Sequence, residues 1–176
     1  MRRLLVLTVV ALAITTMAFA VPAAASTPQS VTISIAEIFH PNGPPNVTGT
    51  VTASGGVFGQ GTIGSLESQS FTPVGFNQSH NFPPPQFFEY TAVDQYTFDG
   101  GSFLITFQAS CGFAGFDPVT NHVFVACSGN WRVNGGTGDY ALLKGTGKFT
   151  ELQDFDDNNP GAGTGTVTEV GMMQSG

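Results

Sequence analysis

Positive charge is what this chain has least of: five Lys and Arg stand against twelve Asp and Glu, a formal net charge of −7 over 176 residues. Two of the five, Arg2 and Arg3, head an export-like segment, and removing them takes the charge from −7 to −9 with Arg132, Lys144 and Lys148 remaining. Nucleic acid is thereby excluded as a partner, because binding it rests on cationic side chains that displace counterions from phosphates. Anionic membrane surfaces are excluded by the same argument. Cysteine is also scarce, at two. Beyond residue 25 no stretch keeps apolar residues at spacings of three and four, so no amphipathic helix is predicted, and no apolar run is long enough to span a bilayer.

The first 25 residues have the parts of a secretion signal: Arg2 and Arg3, the apolar run Leu4 to Ala20, and the small residues Ala23, Ala24 and Ala25 before the expected cut. No Cys follows the cut and the Arg pair lacks a wider twin-arginine context, so general secretion of a soluble protein is expected. Residues 26–176 then form one domain by length. In an exported chain two cysteines are read as one disulfide. The alternative, a nucleophilic thiol, needs an electropositive setting, and Arg132 is the only cation near either cysteine in the chain.

What the chain does have is alternation. Phe103, Ile105, Phe107, Ala109 and Cys111 fall on every second position, as do Val123, Val125 and Cys127, then Trp131 and Val133. That is the period of a half-buried strand. Folding the two runs back at Asp117-Pro118-Val119-Thr120-Asn121, a turn sequence, sets Cys111 opposite Cys127 and Phe113 opposite Val125. With 23 Gly and 11 Pro punctuating the rest, strands are predicted at about 30–39, 47–53, 57–67, 87–98, 102–111, 121–134, 145–152 and 163–171. Eight short strands with turns between them make an antiparallel sandwich or a closed barrel.

Asp99-Gly100-Gly101 marks a hairpin. A two-residue turn there puts Asp94, Tyr96 and Phe98 on the inward face with Phe103, Ile105 and Phe107, whereas a three-residue loop would turn Val93, Gln95 and Thr97 inward. Glu37 shares a face with Val31, Ile33, Ile35 and Phe39, so it is either inside or carried outward by a bulge. The connection from Thr72 to Gln86, with Pro83-Pro84-Pro85 and flanking Phe residues, is either a cap over a barrel mouth or a loop packed on the outside.

The run Trp131-Arg132-Val133-Asn134-Gly135-Gly136-Thr137-Gly138-Asp139-Tyr140, continuing to Gly145-Thr146-Gly147, resembles the Gly-Gly-Thr-Gly-x-aromatic segment of the allene oxide cyclase and dirigent barrel superfamily. It is most similar to small secreted bacterial members of unassigned role. With the Asp99 hairpin the resemblance covers about the C-terminal half of the mature chain. It implies a closed antiparallel eight-stranded β-barrel, an apolar cavity with few polar groups, no cofactor, and frequent association into dimers or trimers. It also implies that Tyr140 with Leu142 or Leu143 plugs one barrel end. Members include plant cyclases acting on an unstable fatty-acid epoxide and dirigent proteins that orient phenolic intermediates. Their polar cavity residues have no matching motif here, so the catalytic candidates Glu37, Asp94 and Tyr96 rest on face parity alone.

Other motifs carry less. Gly136 to Ala141 fits a dinucleotide fingerprint in form, but Gly145 and Gly147 stop the helix it requires. Asp154, Asp156 and Asn158 alternate like a calcium loop, yet Asn159 and Gly165 occupy the positions that need Gly and Glu. His40, His80 and His122 have no metal-ligand spacing, and no metal site is expected. No Gly-x-Ser-x-Gly elbow is present.

Three functions remain. The first is a secreted, extracellular barrel that binds a small hydrophobic or aromatic molecule, with Phe98, Phe103, Ile105, Phe107 and Trp131 as lining. The second is a cofactor-independent cyclase or isomerase using Glu37 or Asp94. The third is a non-catalytic cell-surface scaffold, which an interior filled by Phe103, Phe107 and Trp131 would favour. An ionisable group on a cavity floor separates the second from the first.

Overall fold

Period-two alternation governs nearly everything in the computed structural model, which describes residues 26–42, 44–74, 87–159 and 161–176. The expected signal segment lies outside the described residues, as does the expected cap from 75 to 86. The strands are β1 (Gln29–Phe39), β2 (Val47–Ser54), β3 (Thr62–Val74), β4 (Phe87–Phe98), β5 (Gly101–Asp117), β6 (His122–Gly136), β7 (Lys144–Asp156) and β8 (Gly163–Gln174). Each pairs antiparallel with the next and β8 returns to β1, closing the barrel and ruling out the sandwich. Closure leaves no strand edge to template aggregation.

The β4–β5 hairpin turns on Asp99-Gly100, with Phe98 opposite Gly101, Tyr96 opposite Phe103 and Asp94 opposite Ile105. Asp94, Tyr96, Phe98, Phe103, Ile105 and Phe107 are accordingly all buried on the inward face. Glu37 is inward as well, 8 % exposed, with unbroken register to both neighbours and no bulge.

Cys111 stands opposite Cys127, and the disulfide is formed at an S–S distance of 2.02 Å. The register reaches that pairing by a compensation. The hairpin closes with Asp117 opposite His122, one residue out of step with the cysteines, and a bulge between Phe113 and Gly115 absorbs the difference. In the turn the Asp117 carboxylate accepts from the Val119 amide and the Thr120 hydroxyl at 2.9 and 2.8 Å. Those donors hold its pKa below the usual value. The Cys111→Ser/Cys127→Ser variant is expected to lose about 3 kcal/mol in urea unfolding, the loop-entropy value for a closure of this length.

The strand that departs furthest from the sequence expectation is β3, which begins at Thr62 rather than 57 and runs on to Val74, while β5 and β7 extend past their expected ends to Asp117 and Asp156. Gly55, Gly56, Gly59 and Gly61 all have positive φ and hold residues 55–61 in a turn, which swings Phe58 into the barrel end. There Tyr140 packs on Phe58, Phe98 and Phe103 at ring-centroid distances of 5.9, 6.0 and 5.5 Å. Leu143 is buried beside this plug, whereas Leu142 is exposed.

The glycine-rich segment presents Tyr140 by docking on the β4–β5 hairpin. Asp139 N donates to Gly100 O at 2.9 Å and Thr137 N to Ser102 O at 2.7 Å. A Cβ on Gly138 would lie 1.9 Å from Gly100 O, and φ is +57°. Only glycine meets both demands.

Candidate functional site

The plugged end and the other end of the barrel differ in chemistry. Away from the plug, inward positions of β1, β3, β4 and β7 supply Glu37, Ser68, Tyr90, Asp94, Glu151 and Gln153 around one cavity of about 40 Å³. That is room for ordered water or the tip of a small molecule. The walls add Phe39, Phe71, Phe107 and Phe149. Phe107 and Phe149 meet edge to face at 5.1 Å, and Phe71, half exposed at the rim, lies 4.9 Å from the Tyr90 ring. A bulge between Ser68 and Ser70 resets the parity of β3, so Ser68 faces Asp94 and Phe71 faces Ala92.

Glu151 is the centre of the polar floor. Its Oε2 accepts from the Tyr90 hydroxyl at 2.9 Å and its Oε1 from Gln153 Nε2 at 2.5 Å. A third hydrogen bond joins it to Glu37. Burial drives the Glu37 carboxyl well above the usual range, and the charges of Glu151 and Asp94 push it further. Glu151 is also raised by burial, but its three donors oppose the shift. Both members of the pair therefore hold protons to higher pH than an ordinary glutamate, with Glu37 the more strongly driven, and they share a hydrogen bond.

Asp94 is pushed up to about 7 by burial, against the pull of a Ser68 hydrogen bond. One layer deeper, Glu169 is fully buried and raised to about 8 for the same reason, although the Tyr96 hydroxyl donates to it. Burial also raises the Tyr90 and Tyr96 hydroxyls, which stay protonated donors. Asp94 Oδ1 and Glu169 Oε2 are buried without a hydrogen-bond partner. Arg132, Lys144 and Lys148 are all exposed, so among the described residues no Lys or Arg is buried with these carboxyls. The cluster can donate or accept a proton near neutral pH, and Asp94, which lines the cavity, keeps one oxygen unsatisfied. Among the described residues no group of His, Cys, Asp or Glu is placed to hold a metal ion.

Of the residues expected at a site, Glu37, Asp94 and Phe107 come together around the cavity. Tyr96 lies beneath it, bonded to Glu169. Phe98 and Phe103 belong to the opposite plug, stacked on each other at 5.9 Å, and Ile105 is fully buried away from the cavity. Trp131 is not cavity lining either: its Nε1 donates to Lys148 O at 3.1 Å, and its ring fills space that Gly147 and Gly171 leave open. These four face inward but do not line this cavity.

Sequence reasoning missed Ser68, Tyr90, Glu151, Gln153 and Glu169. Parity carried a signal for most of them, since Tyr90 shares a face with Asp94, Glu151 and Gln153 with Phe149, and Glu169 with Val167. Elsewhere His122 pairs with Asp154 at 2.6 Å, and Asp156 accepts from the Asn158 amide at 2.9 Å, so the alternating acids of that turn are engaged locally. No family model, no curated protein and no solved structure matches the chain.

Proposed function

We propose that this chain is a secreted β-barrel that binds a small hydrophobic or aromatic molecule in the chamber away from the plug, without a cofactor. The observation that carries this reading is the pairing of aromatic walls with buried carboxyls that the protein leaves partly unsatisfied. A core built only for stability avoids unpaired buried polar atoms, each of which costs about 1–3 kcal/mol, whereas binding sites accumulate shifted carboxyls. The chamber also argues against a barrel that is only a scaffold. The buried disulfide fits an oxidising compartment, and export with cleavage after Ala25 belongs to the same reading.

Native mass spectrometry of the secreted protein tests it, reading co-purified ligand, subunit number and the new terminus at Ser26 together. Ala92, buried on the cavity wall, is the place to block it. Ala92→Phe is expected to abolish the ligand-bound peak while far-UV circular dichroism still reports the barrel. A ligand retained in full by that variant would sit elsewhere.

A second reading is cofactor-independent isomerisation or cyclisation, of the kind the resemblance to allene oxide cyclase and dirigent barrels implies. The Glu37–Glu151 hydrogen bond favours it, because two hydrogen-bonded carboxyls with raised pKa can hold and pass a proton within one site. Conversion of the bound molecule by the parent protein and its loss in Glu37→Gln, with binding kept, would select this reading over simple binding.

A further inference from the structure

The chamber has an acidic floor and aromatic walls, and no cationic side chain of the described residues faces it. We propose that it receives the ammonium head of a small organic amine, with Asp94 and Glu151 as anionic partners and Phe71, Tyr90 and Phe107 as aromatic walls. This rests on the ligand-binding reading above and names the chemistry of the occupant.

Three classes of head group can be compared. A carboxylate, such as that of a fatty acid, would bring its negative charge against the acids Glu37, Asp94 and Glu151. In a site shielded from water that repulsion is large. A neutral alcohol would satisfy one acceptor and bring no compensating charge.

An ammonium supplies three N–H donors and the missing charge. Asp94 is 8 % exposed and lines the cavity, Ser68 bonds its carboxylate, and Oδ1 has no partner. One N–H directed at Asp94 removes that orphan. Ring faces within about 6 Å add cation–π attraction. A cavity of about 40 Å³ holds the head group and its first carbon, with the apolar body emerging past Phe71 and the half-buried Phe39 and Val47.

Proton linkage follows from the groups around Asp94. Glu37 faces it from β1, Ser68 from β3, Tyr90 and Tyr96 from its own strand, Glu151 and Gln153 from β7, and Glu169 from β8. The arriving cation favours ionised Asp94, so its proton passes to solvent on binding below pH about 7. Affinity then rises by about tenfold per pH unit below that value and levels above it. No covalent step is involved.

The test is isothermal titration of the mature secreted protein with 2-phenylethylamine, 2-phenylethanol and 3-phenylpropanoate at pH 6, 7 and 8, in buffers of differing ionisation enthalpy. The amine is expected to bind at least tenfold more tightly than the alcohol, with proton release at pH 6, and the carboxylate not at all. Asp94→Asn should cut amine affinity at least tenfold and flatten its pH dependence, a larger loss than the same variant causes for the alcohol. Glu151→Gln provides a second variant should Asp94→Asn fail to fold, with the same loss of amine preference expected. Equal binding of amine and alcohol, or preference for the carboxylate, overturns the amine assignment and leaves ligand binding standing. Failure of all three to bind, with no co-purified molecule in the native spectrum, overturns both.

Discussion

The melting temperature of this barrel should fall as the pH rises from about 4 to about 8, opposite to the behaviour of a protein whose carboxylates are paired with cations. Unfolded Asp and Glu titrate near 4. In the folded barrel Asp94 titrates at about 7 and Glu169 at about 8, and Glu37 is also raised well above its ordinary value, with burial the leading cause in each case. Between those limits the folded state holds protons that the unfolded state has released, so each unit of rising pH favours unfolding. The contribution is complete below about 4, is lost through the window from 4 to 8, and is flat beyond it. One pKa unit corresponds to about 1.4 kcal/mol, so these groups together cost several kcal/mol at the alkaline end. For a domain of this size that is a drop on the order of 10 °C.

Glu169→Gln isolates the deepest of these groups. Its Oε2 has no partner and the residue is fully buried, so a neutral isostere removes the cost of ionisation without removing volume. The variant should melt higher than the parent at pH 8.5 and no higher at pH 4.5. Scanning calorimetry across that range decides the matter. A parent that becomes more stable between pH 5 and 8 would mean the carboxyls are ionised and well solvated, and the account of the acidic floor would fail.

Trp131→Ala should lower stability by about 3–5 kcal/mol, the usual range for deleting a large buried aromatic. The indole is 2 % exposed and spreads over two inward glycines. A Cβ on Gly147 would come within 2.5 Å of the ring, and one on Gly171 within 2.4 Å. Gly171→Ala should therefore also destabilise, by overpacking. In the Trp131→Ala/Gly171→Ala double variant the ring is gone and the added methyl enters vacated space, so the combined loss should be smaller than the sum. Compensation stays partial because the same Cβ also approaches Thr146 O at 2.4 Å. Chemical denaturation of the four proteins measures the coupling, and strict additivity would show that the indole and the glycine do not share a packing site.

Four residues expected at a ligand lie away from this cavity for one reason. Trp131, Phe98, Phe103 and Ile105 face inward as alternation predicts, but inward is not the same as lining a cavity. One half of this lumen is plugged by Phe58, Phe98, Phe103 and Tyr140, and the middle is filled by Trp131. Phe58 joins the plug from a glycine turn that the pattern had assigned to a strand. Glu37 and Asp94, by contrast, were placed by parity, which the uninterrupted pairing of β1 with β8 and of β4 with β5 kept, the bulge beside Asp94 lying on β3. Ser68 was hidden for the opposite reason, since a single bulged residue puts both it and Phe71 on the inside, three positions apart.

The sequence by itself determined that the chain is a run of short strands, roughly where most of them lie, that a hairpin turns within Asp99-Gly100-Gly101 and which sulfurs bond, because each follows from the two-residue period of a pleated strand and the chemistry of a short turn. Only the tertiary structure decided that β8 returns to β1, which end of the lumen is solid, and that carboxyls from β1, β4, β7 and β8 converge with no buried Lys or Arg among the described residues. What stands across a barrel depends on the stagger accumulated over all eight strands, and the desolvation that holds protons on Glu37 and Glu169 exists only once that ring is shut.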